Sequence, residues 1–357
     1  MGERLAAHSA CLTLARMTTA DARGRILVIG GYGAVGTAVA ARLAEFLPGR
    51  VVPAGRDEMR ARRLGGVRVD VGDPAGFRRV LDKLGDVRAV VLCVEPEDAS
   101  LARICLERGI HLVDVGASRD LLDAVADMDG LATGAGATAV LSVGVAPGLT
   151  NLLAQRAHEA VGGAQRLDLT VLLGSGERHG TDAVRWTVEG LAAPVTAVPR
   201  QVFLPGHGTH RAHPFPFSDQ HTLRRTLGVP EATTRLCLDS RPLTAALFAL
   251  RRTGLLRGAR RAPVRHALTG AFSRVHLGGD AFALRADAVR AGRRAAFALT
   301  GREQSRVTGL VAAEVTRELL TGDLPTGVRH IEQLPALSDL PERLAWDGVV
   351  VSRRDHL

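Results

Sequence analysis

The sequence predicts an α/β chain, a doubly wound parallel sheet followed by a second α+β domain with a mixed sheet. Three observations predict it. From Arg25 to Val143, short apolar runs alternate with helical patterns at close spacing, which implies an open parallel sheet with right-handed crossovers. A Gly-x-Gly-x-x-Gly turn, Gly31 to Gly36, stands between the first apolar run and the first helical pattern. The texture then changes after Pro147-Gly148.

The elements follow in order. Residues 25–30, Arg-Ile-Leu-Val-Ile-Gly, read as a strand buried on both faces. Val35, Val39, Leu43 and Phe46 share one face of a helix from Ala34 to Phe46. Strands are expected at Arg50 to Ala54, Val67 to Val71, Ala89 to Val94, Ile110 to Val115 and Ala137 to Val143. Helices are expected between them at Pro74 to Leu84, Asp98 to Arg108 and Leu121 to Ala132.

In the second domain, helices are expected at 149–161, Thr181 to Leu191 and Leu243 to Leu256. Strands are expected at Leu167 to Leu173, near Val195–Val198, Gln201–Leu204 and Thr234–Leu238, and at Phe272–Leu277, Ala281–Ala286 and Arg294–Thr300. A long amphipathic helix, Gln304 to Leu320, carries Val307, Leu310, Val311, Val315 and Leu319 at helical spacing. The domain reading is an extension over 1–24 expected to be disordered, a first domain over 25–150, a second over 151–300, and a segment over 301–357 that returns to the first.

Composition narrows the chemistry. The chain has 357 residues, 46% hydrophobic and 23% charged, as in ordinary soluble proteins. No apolar run approaches the ~20 residues of a membrane span, and His8, Arg16, Asp21 and Arg23 break up any secretory h-region. Met17 is a candidate start. The net charge is +9, but Lys83 is the only lysine, so the arginine excess reflects coding bias in part and is discounted as a sign of nucleic-acid binding. Aromatics at 3% leave few stacking platforms for single strands. Cys11, Cys93, Cys105 and Cys237 form no metal-ligand spacing and suit a reducing, cytoplasmic setting. Tyr32 is the only tyrosine and position 36 is glycine, which removes a Tyr-x-x-x-Lys acid/base pair.

The glycine turn carries the strongest functional signal because an apolar strand precedes it and an amphipathic helix follows. Gly31 permits a tight turn, Gly33 close approach of a pyrophosphate and Gly36 close helix–strand packing. With Tyr32, Ala34 and Val35 they form a candidate dinucleotide cradle at a helix N-terminus. The second strand ends in Ala54-Gly55, then Arg56-Asp57. A guanidinium suits a 2′-phosphate, so NADP(H) is preferred and NAD(H) remains open through Asp57. Asp70 is a candidate for the adenine amino group, and Val94-Glu95-Pro96 should line the nicotinamide side. Asp114, a carboxylate in a buried strand, must be paired or face the crevice. Structural and ligand-contacting roles both stand for it.

These motifs resemble the saccharopine dehydrogenase family in its wider sense. The resemblance lies in Gly30 to Gly36, in Ala54-Gly55-Arg56-Asp57 and in the stretch from Cys105 to Gly109-Ile110-His111-Leu112-Val113-Asp114. It continues in Val145-Ala146-Pro147-Gly148-Leu149-Thr150-Asn151 and in Gly327-Val328-Arg329-His330-Ile331-Glu332-Gln333. It is good over 25–150, moderate over 151–190 and weak over 300–335. The resemblance implies NAD(P)-dependent chemistry at a carbon–nitrogen bond of an amino-acid-derived substrate. Some members of that family act instead as trans-acting enoyl reductases beside polyketide synthases, which makes a carrier-bound or lipid-like substrate the alternative. A non-catalytic dinucleotide-binding protein is the third reading.

The second domain offers Glu177, His179, Asp182, Arg185 and Trp186 in one loop–helix segment. His179 is the expected proton donor, with Asp114 as partner and Arg185 as carboxylate anchor. A capped helix with a core tryptophan is the competing structural reading. His207, His210, His213 and His221 fall in a Pro/Gly-rich segment read as a loop, and no metal is expected there. A homodimer through the second domain's sheet is expected.

Overall fold

The computed structural model describes residues 24–177, 181–194, 197–253, 265, 270 and 278–354. The N-terminal extension, His179, the strand expected at 272–277 and most of the arginine-rich stretch 257–265 lie outside the described residues.

The first domain runs β1 (Arg25–Ile29), α1 (Ala34–Phe46), β2 (Val51–Gly55), α2 (Glu58–Arg63), β3 (Val67–Arg68), α3 (Pro74–Leu84), β4 (Val87–Leu92), α4 (Ser100–Glu107), β5 (His111–Asp114), α5 (Arg119–Ala126), α6 (Asp129–Gly134) and β6 (Thr138–Leu141). The second continues with α7 (Thr150–Ala160), β7 (Arg166–Leu173), α8 (Thr181–Ala192), β8 (Arg200–Leu204), β9 (Gly208–Pro214), α9 (Asp219–Thr226), β10 (Glu231–Leu238), α10 (Arg241–Arg252), β11 (Ala281–Arg290) and β12 (Arg293–Arg302). The chain ends with α11 (Gln304–Thr321), β13 (Gly327–His330), α12 (Leu340–Arg343) and β14 (Val350–Arg354).

The first sheet has seven strands in the order β13-β6-β5-β4-β1-β2-β3, and every pairing in it is parallel. Continuous apolar strands form here because both faces are covered. In β1, Ile26 and Val28 enter one buried cluster with α1 and α11, while Leu27 and Ile29 enter another beneath α3 and α4. Local chemistry starts the helices. Asp73 accepts from the Gly76 N–H at 2.8 Å and Pro74 sits in the first turn of α3. Asp57 caps α2, accepting from the Arg60 N–H at 3.0 Å.

The second sheet has the order β14-β12-β11-β7-β10-β9-β8. It is mixed, since β10 runs parallel to β7 while β11, β12, β14 and β9 pair antiparallel with their neighbours. Leu167, Leu169 and Val171 of β7, with Phe282, Leu284 and Ala286 of β11, join the first domain's cluster through Leu149, Leu152 and Leu153. The alternate residues form only a small second cluster: Leu172, Leu204, Ala212, Cys237 and Ala283.

Residues 301–357 serve both sheets. α11 packs along α1 and β13 extends the parallel sheet beyond β6, but β14 pairs with β12 in the mixed sheet. The helix expected at 121–132 is two, α5 and α6, broken at Asp127-Met128. The third strand shrinks to Val67–Arg68 because Asp70 turns the chain, accepting from the Gly72 N–H at 3.1 Å. No strand forms at 197–199. The supposed histidine loop holds β9 and the start of α9. Its glycines and prolines punctuate rather than forbid structure: Gly206 and Gly208 adopt φ of 74° and 73° in the turn between β8 and β9, and Pro214 closes β9.

Candidate dinucleotide and substrate site

The parallel sheet reverses its winding between β1 and β4, the place where such sheets take ligands beyond their carboxyl ends. The glycine turn leaves β1 at that point. A Cβ on Gly36 would lie 2.1 Å from the Gly30 carbonyl oxygen, so only glycine lets α1 start this close to β1. Gly31 and Gly36 are buried, whereas Gly33 and Ala34 are exposed and Val35 is half-buried. Gly33 precedes α1 with no side-chain cap, and no acidic residue stands in the first turn. The first amides of a 13-residue helix are therefore presented to the crevice without an anionic competitor.

Tyr32 reaches from this turn across the end of β2. Its hydroxyl accepts from the Asp57 N–H at 2.7 Å, and its ring covers Gly55, where a Cβ would meet the hydroxyl at 2.4 Å. Asp57 is engaged twice: it caps α2 and lies 3.6 Å from the Arg60 guanidinium. Arg56 is exposed, and the Arg68 guanidinium at the end of β3 donates to the Arg56 carbonyl at 3.3 Å. Arg56 and Arg68 thus stand together beyond the ends of β2 and β3, while the Asp57 carboxylate is occupied.

Val94, Glu95 and Pro96 leave β4 opposite the glycine turn. A Cβ on Gly30 would be 2.8 Å from Val94 Cγ1, which fixes Val94 as the facing wall. Pro96 is buried and Glu95 half-buried, with Glu95 holding a polar partner. Asp114 ends β5 and is 1% exposed. Its Oδ1 accepts from the Gly116 N–H at 2.7 Å, while Oδ2 is buried with no hydrogen-bond partner among the described residues. Burial pushes its pKa up to about 6, against the pull of that N–H. Neighbouring Cys93 is pushed up to about 12, by burial first and then by the Asp114 charge.

The second-domain candidates separate. Glu177 is a clasp: its carboxylate accepts from the Gln304 and Ser305 N–H groups at 2.8 and 2.7 Å, and so caps α11 from across the chain. Trp186 packs at 5.1 and 5.0 Å from the rings of Phe215 and Phe217, as the core reading expected. Arg185 is half-buried beside it in α8 and has partners of its own. His179 and the side chain of Asp182 lie outside the described residues.

Two segments far apart in sequence meet at the carboxyl ends of β6 and β13. Asn151 Oδ1 accepts from the Gly148 N–H at 3.1 Å, and its amide donates to Glu332 at 3.0 Å. The Ser142 hydroxyl and His330 Nδ1 share a hydrogen bond of 2.9 Å. Beside them a cavity of about 350 Å³ opens between α5 and α9, lined by Arg119, Asp123, His221, Arg224 and Arg225. Of these, the sequence singles out only His221. The others sit on α9, within a segment that reads as loop, and on α5, whose start at Arg119 lies two residues before the Leu121 that the sequence predicts.

Residues 26–140 match the family model described as the saccharopine dehydrogenase NADP binding domain. Among solved structures, the chain is similar to an engineered D-amino acid dehydrogenase, at 15% identity over 91% of this chain and 99% of that one, with a TM-score of 0.45. It is similar to a probable dehydrogenase from Thermotoga maritima at 14% identity, over 84% and 90% of the two chains, with a TM-score of 0.42. A third is the WlbA dehydrogenase from Thermus thermophilus in complex with NAD and UDP-GlcNAcA, at 16% identity over 86% and 97%, with a TM-score of 0.39. At identities and TM-scores this low the likenesses carry no argument about function. Among the described residues no helix is long and apolar enough to cross a membrane.

Proposed function

We propose, for a chain whose residues 26–140 belong to the saccharopine dehydrogenase NADP-binding domain family, an NADP(H)-dependent oxidoreductase acting at a carbon–nitrogen bond of an amino-acid-derived substrate. The observation that carries the cofactor half is the uncapped N-terminus of α1 at the switch point, with Gly36 seated against the Gly30 carbonyl. The residues present fit a dinucleotide. The α1 amides would hold the pyrophosphate, and Val94 and Pro96 form an apolar wall on the β4 side. Arg56, backed by Arg68, would hold a 2′-phosphate, since the Asp57 carboxylate is already taken up by α2. When bound, the dinucleotide supplies or accepts the hydride.

The rest of the chemistry belongs to the chain. Reduction of a C=N bond needs one proton at nitrogen, and a group with a pKa near the working pH serves best. Asp114 offers one: its Oδ2 is unpartnered and burial holds its pKa at about 6. With Asp114 as its partner, His179 remains the proposed proton donor, and Arg185 the proposed carboxylate anchor. The resemblance supplies the carbon–nitrogen assignment. The basic, rather than apolar, cavity between α5 and α9 supports it over a lipid-like substrate.

Fluorescence titration with NADPH and NADH tests the cofactor. Arg56→Ala should weaken NADPH binding by ~10–100-fold, the loss of a charge-assisted pair, and leave NADH nearly untouched. Unchanged NADPH affinity in the variant would remove the 2′-phosphate assignment. NADPH consumption with pairs of 2-oxo acids and amines tests the reaction. Tight NADPH binding without turnover on any pair would remove the carbon–nitrogen assignment, and absence of turnover on thioester-activated enoyl substrates as well would leave a binding protein in place of an enzyme.

A further inference from the structure

The cavity between α5 and α9 has an unbalanced charge. Three guanidiniums, Arg119, Arg224 and Arg225, line it against one carboxylate, Asp123. Asp123 is shared: its Oδ1 lies 2.8 Å from Arg225 Nη1 and its Oδ2 lies 3.4 Å from Arg119 Nε. Arg224 is held by its Nε, which donates to the Pro230 carbonyl at 3.1 Å. His221 completes the wall, with its pKa lowered by burial and then by Arg119 and Arg224, against the opposing pull of Asp123. Among the described residues the cluster keeps an excess of two positive charges around an open volume, where guanidinium forks have N–H groups to spare.

Its place in the fold matters as much as its charge. α5 begins five residues after β5 ends at Asp114. α9 packs against the 145–149 turn, which follows β6. Both elements therefore stand beyond the carboxyl ends of the parallel strands, where a substrate must lie to meet the dinucleotide. Arg225 also approaches His330 Nε2 at 3.4 Å, so the cavity is continuous with the buried residues that join the two domains.

We propose that this cavity is an oxyanion subsite that holds an acidic group of the substrate, a carboxylate or a phosphate, through Arg119 and Arg224, with Arg225 and Asp123 as its frame. The inference rests on the oxidoreductase reading and adds to it the charge class of the substrate and the residues that select it.

Isothermal titration of the NADPH-loaded full chain with glutarate and, separately, with inorganic phosphate tests this. One of the two should bind, and which one binds names the acidic group. Arg119→Gln and Arg224→Gln should each weaken that binding by about tenfold or more. Both side chains are largely exposed, so melting curves should match the parent. Arg78→Gln, which removes an arginine paired with Glu107 between α3 and α4 and outside the cavity lining, should bind the anion as the parent does. NADPH bound with neither anion bound overturns the subsite while the cofactor assignment survives. Equal weakening by Arg78→Gln overturns it too, by reducing the effect to bulk charge. A chain that binds neither NADPH nor NADH overturns the oxidoreductase reading and this inference together.

Discussion

The two seven-stranded sheets solve the same problem differently. The parallel sheet is apolar on both faces: successive residues of β1 and β4 alternate between two large buried clusters. The mixed sheet is apolar toward α7, and its other face mingles a five-residue cluster with buried charge. There Arg235, whose side chain is 4% exposed, pairs with Asp168 at 2.7 Å. Asp168 also takes Arg200 at 2.6 Å, and Arg285 lies buried against Asp287 at 2.6 Å. A sheet covered by helices on both sides can present backbone to a ligand only at its strand ends, so the cofactor half is built from glycines and helix amides. The mixed sheet instead holds together through paired side chains as well as packing. One half should fail through shape and the other through charge.

Gly36→Val attacks shape and should have the largest effect. The new Cβ would stand 2.1 Å from one backbone atom and under 3 Å from two more, and backbone cannot swing aside as a side chain can. Destabilisation of ~4 kcal/mol or more is expected, with NADPH binding lost. A variant that melts like the parent would show that α1 can pull away from β1.

Asp168→Ala attacks charge in the other sheet. It leaves Arg235 buried without its carboxylate, which costs ~3–5 kcal/mol for comparable pairs. NADPH affinity, measured below the melting range, should stay at the parental value because the lesion lies outside the parallel sheet. Coupled loss of NADPH binding would mean the two sheets do not divide the work in this way.

This difference also explains what could be read in advance. Parallel strands announce themselves locally, by apolar runs bounded by glycine, so β1 to β6 and the turn at Gly31 to Gly36 were legible within a few residues. The mixed sheet depends on partners distant in sequence. β9 looked like loop because Gly206, Gly208 and Pro214 read as breakers, although they mark its ends. β13 and β14 are four and five residues long and gain their stability from neighbours supplied elsewhere. The same applies to the site. The dinucleotide cradle is one contiguous motif, but Glu177 faces α11 across 127 residues of chain. The basic cavity assembles from α5 and α9, neither of which carries a motif. The segments Val145 to Asn151 and Gly327 to Gln333 stood out in the sequence, yet only the Asn151–Glu332 contact explains why they belong together.

Asp114 is the exception within the parallel sheet, a charge among apolar neighbours, and its effect should be the smallest and the most dependent on pH. Burial raises its pKa from an ordinary 3.8 to about 6. Below the lower value the carboxyl is protonated whether the chain is folded or not, and it contributes nothing to stability. Between the two values the folded chain keeps a proton that the unfolded chain has lost, so stability falls as pH rises. Above about 6 the full cost of an ionised, half-satisfied carboxylate is present, up to ~3 kcal/mol. Asp114→Asn keeps an acceptor for the Gly116 N–H and replaces a buried charge with an amide whose desolvation costs less. Its melting temperature should exceed the parent's at pH ~7.5 and converge on it near pH ~4, while turnover falls if Oδ2 is the proton donor. Comparing variant with parent at each pH cancels Asp219 and Glu332, which burial also raises. An Asn variant less stable than the parent at neutral pH would mean that the ionised carboxylate is solvated in the crevice, and the parallel sheet would then tolerate charge as the mixed sheet does.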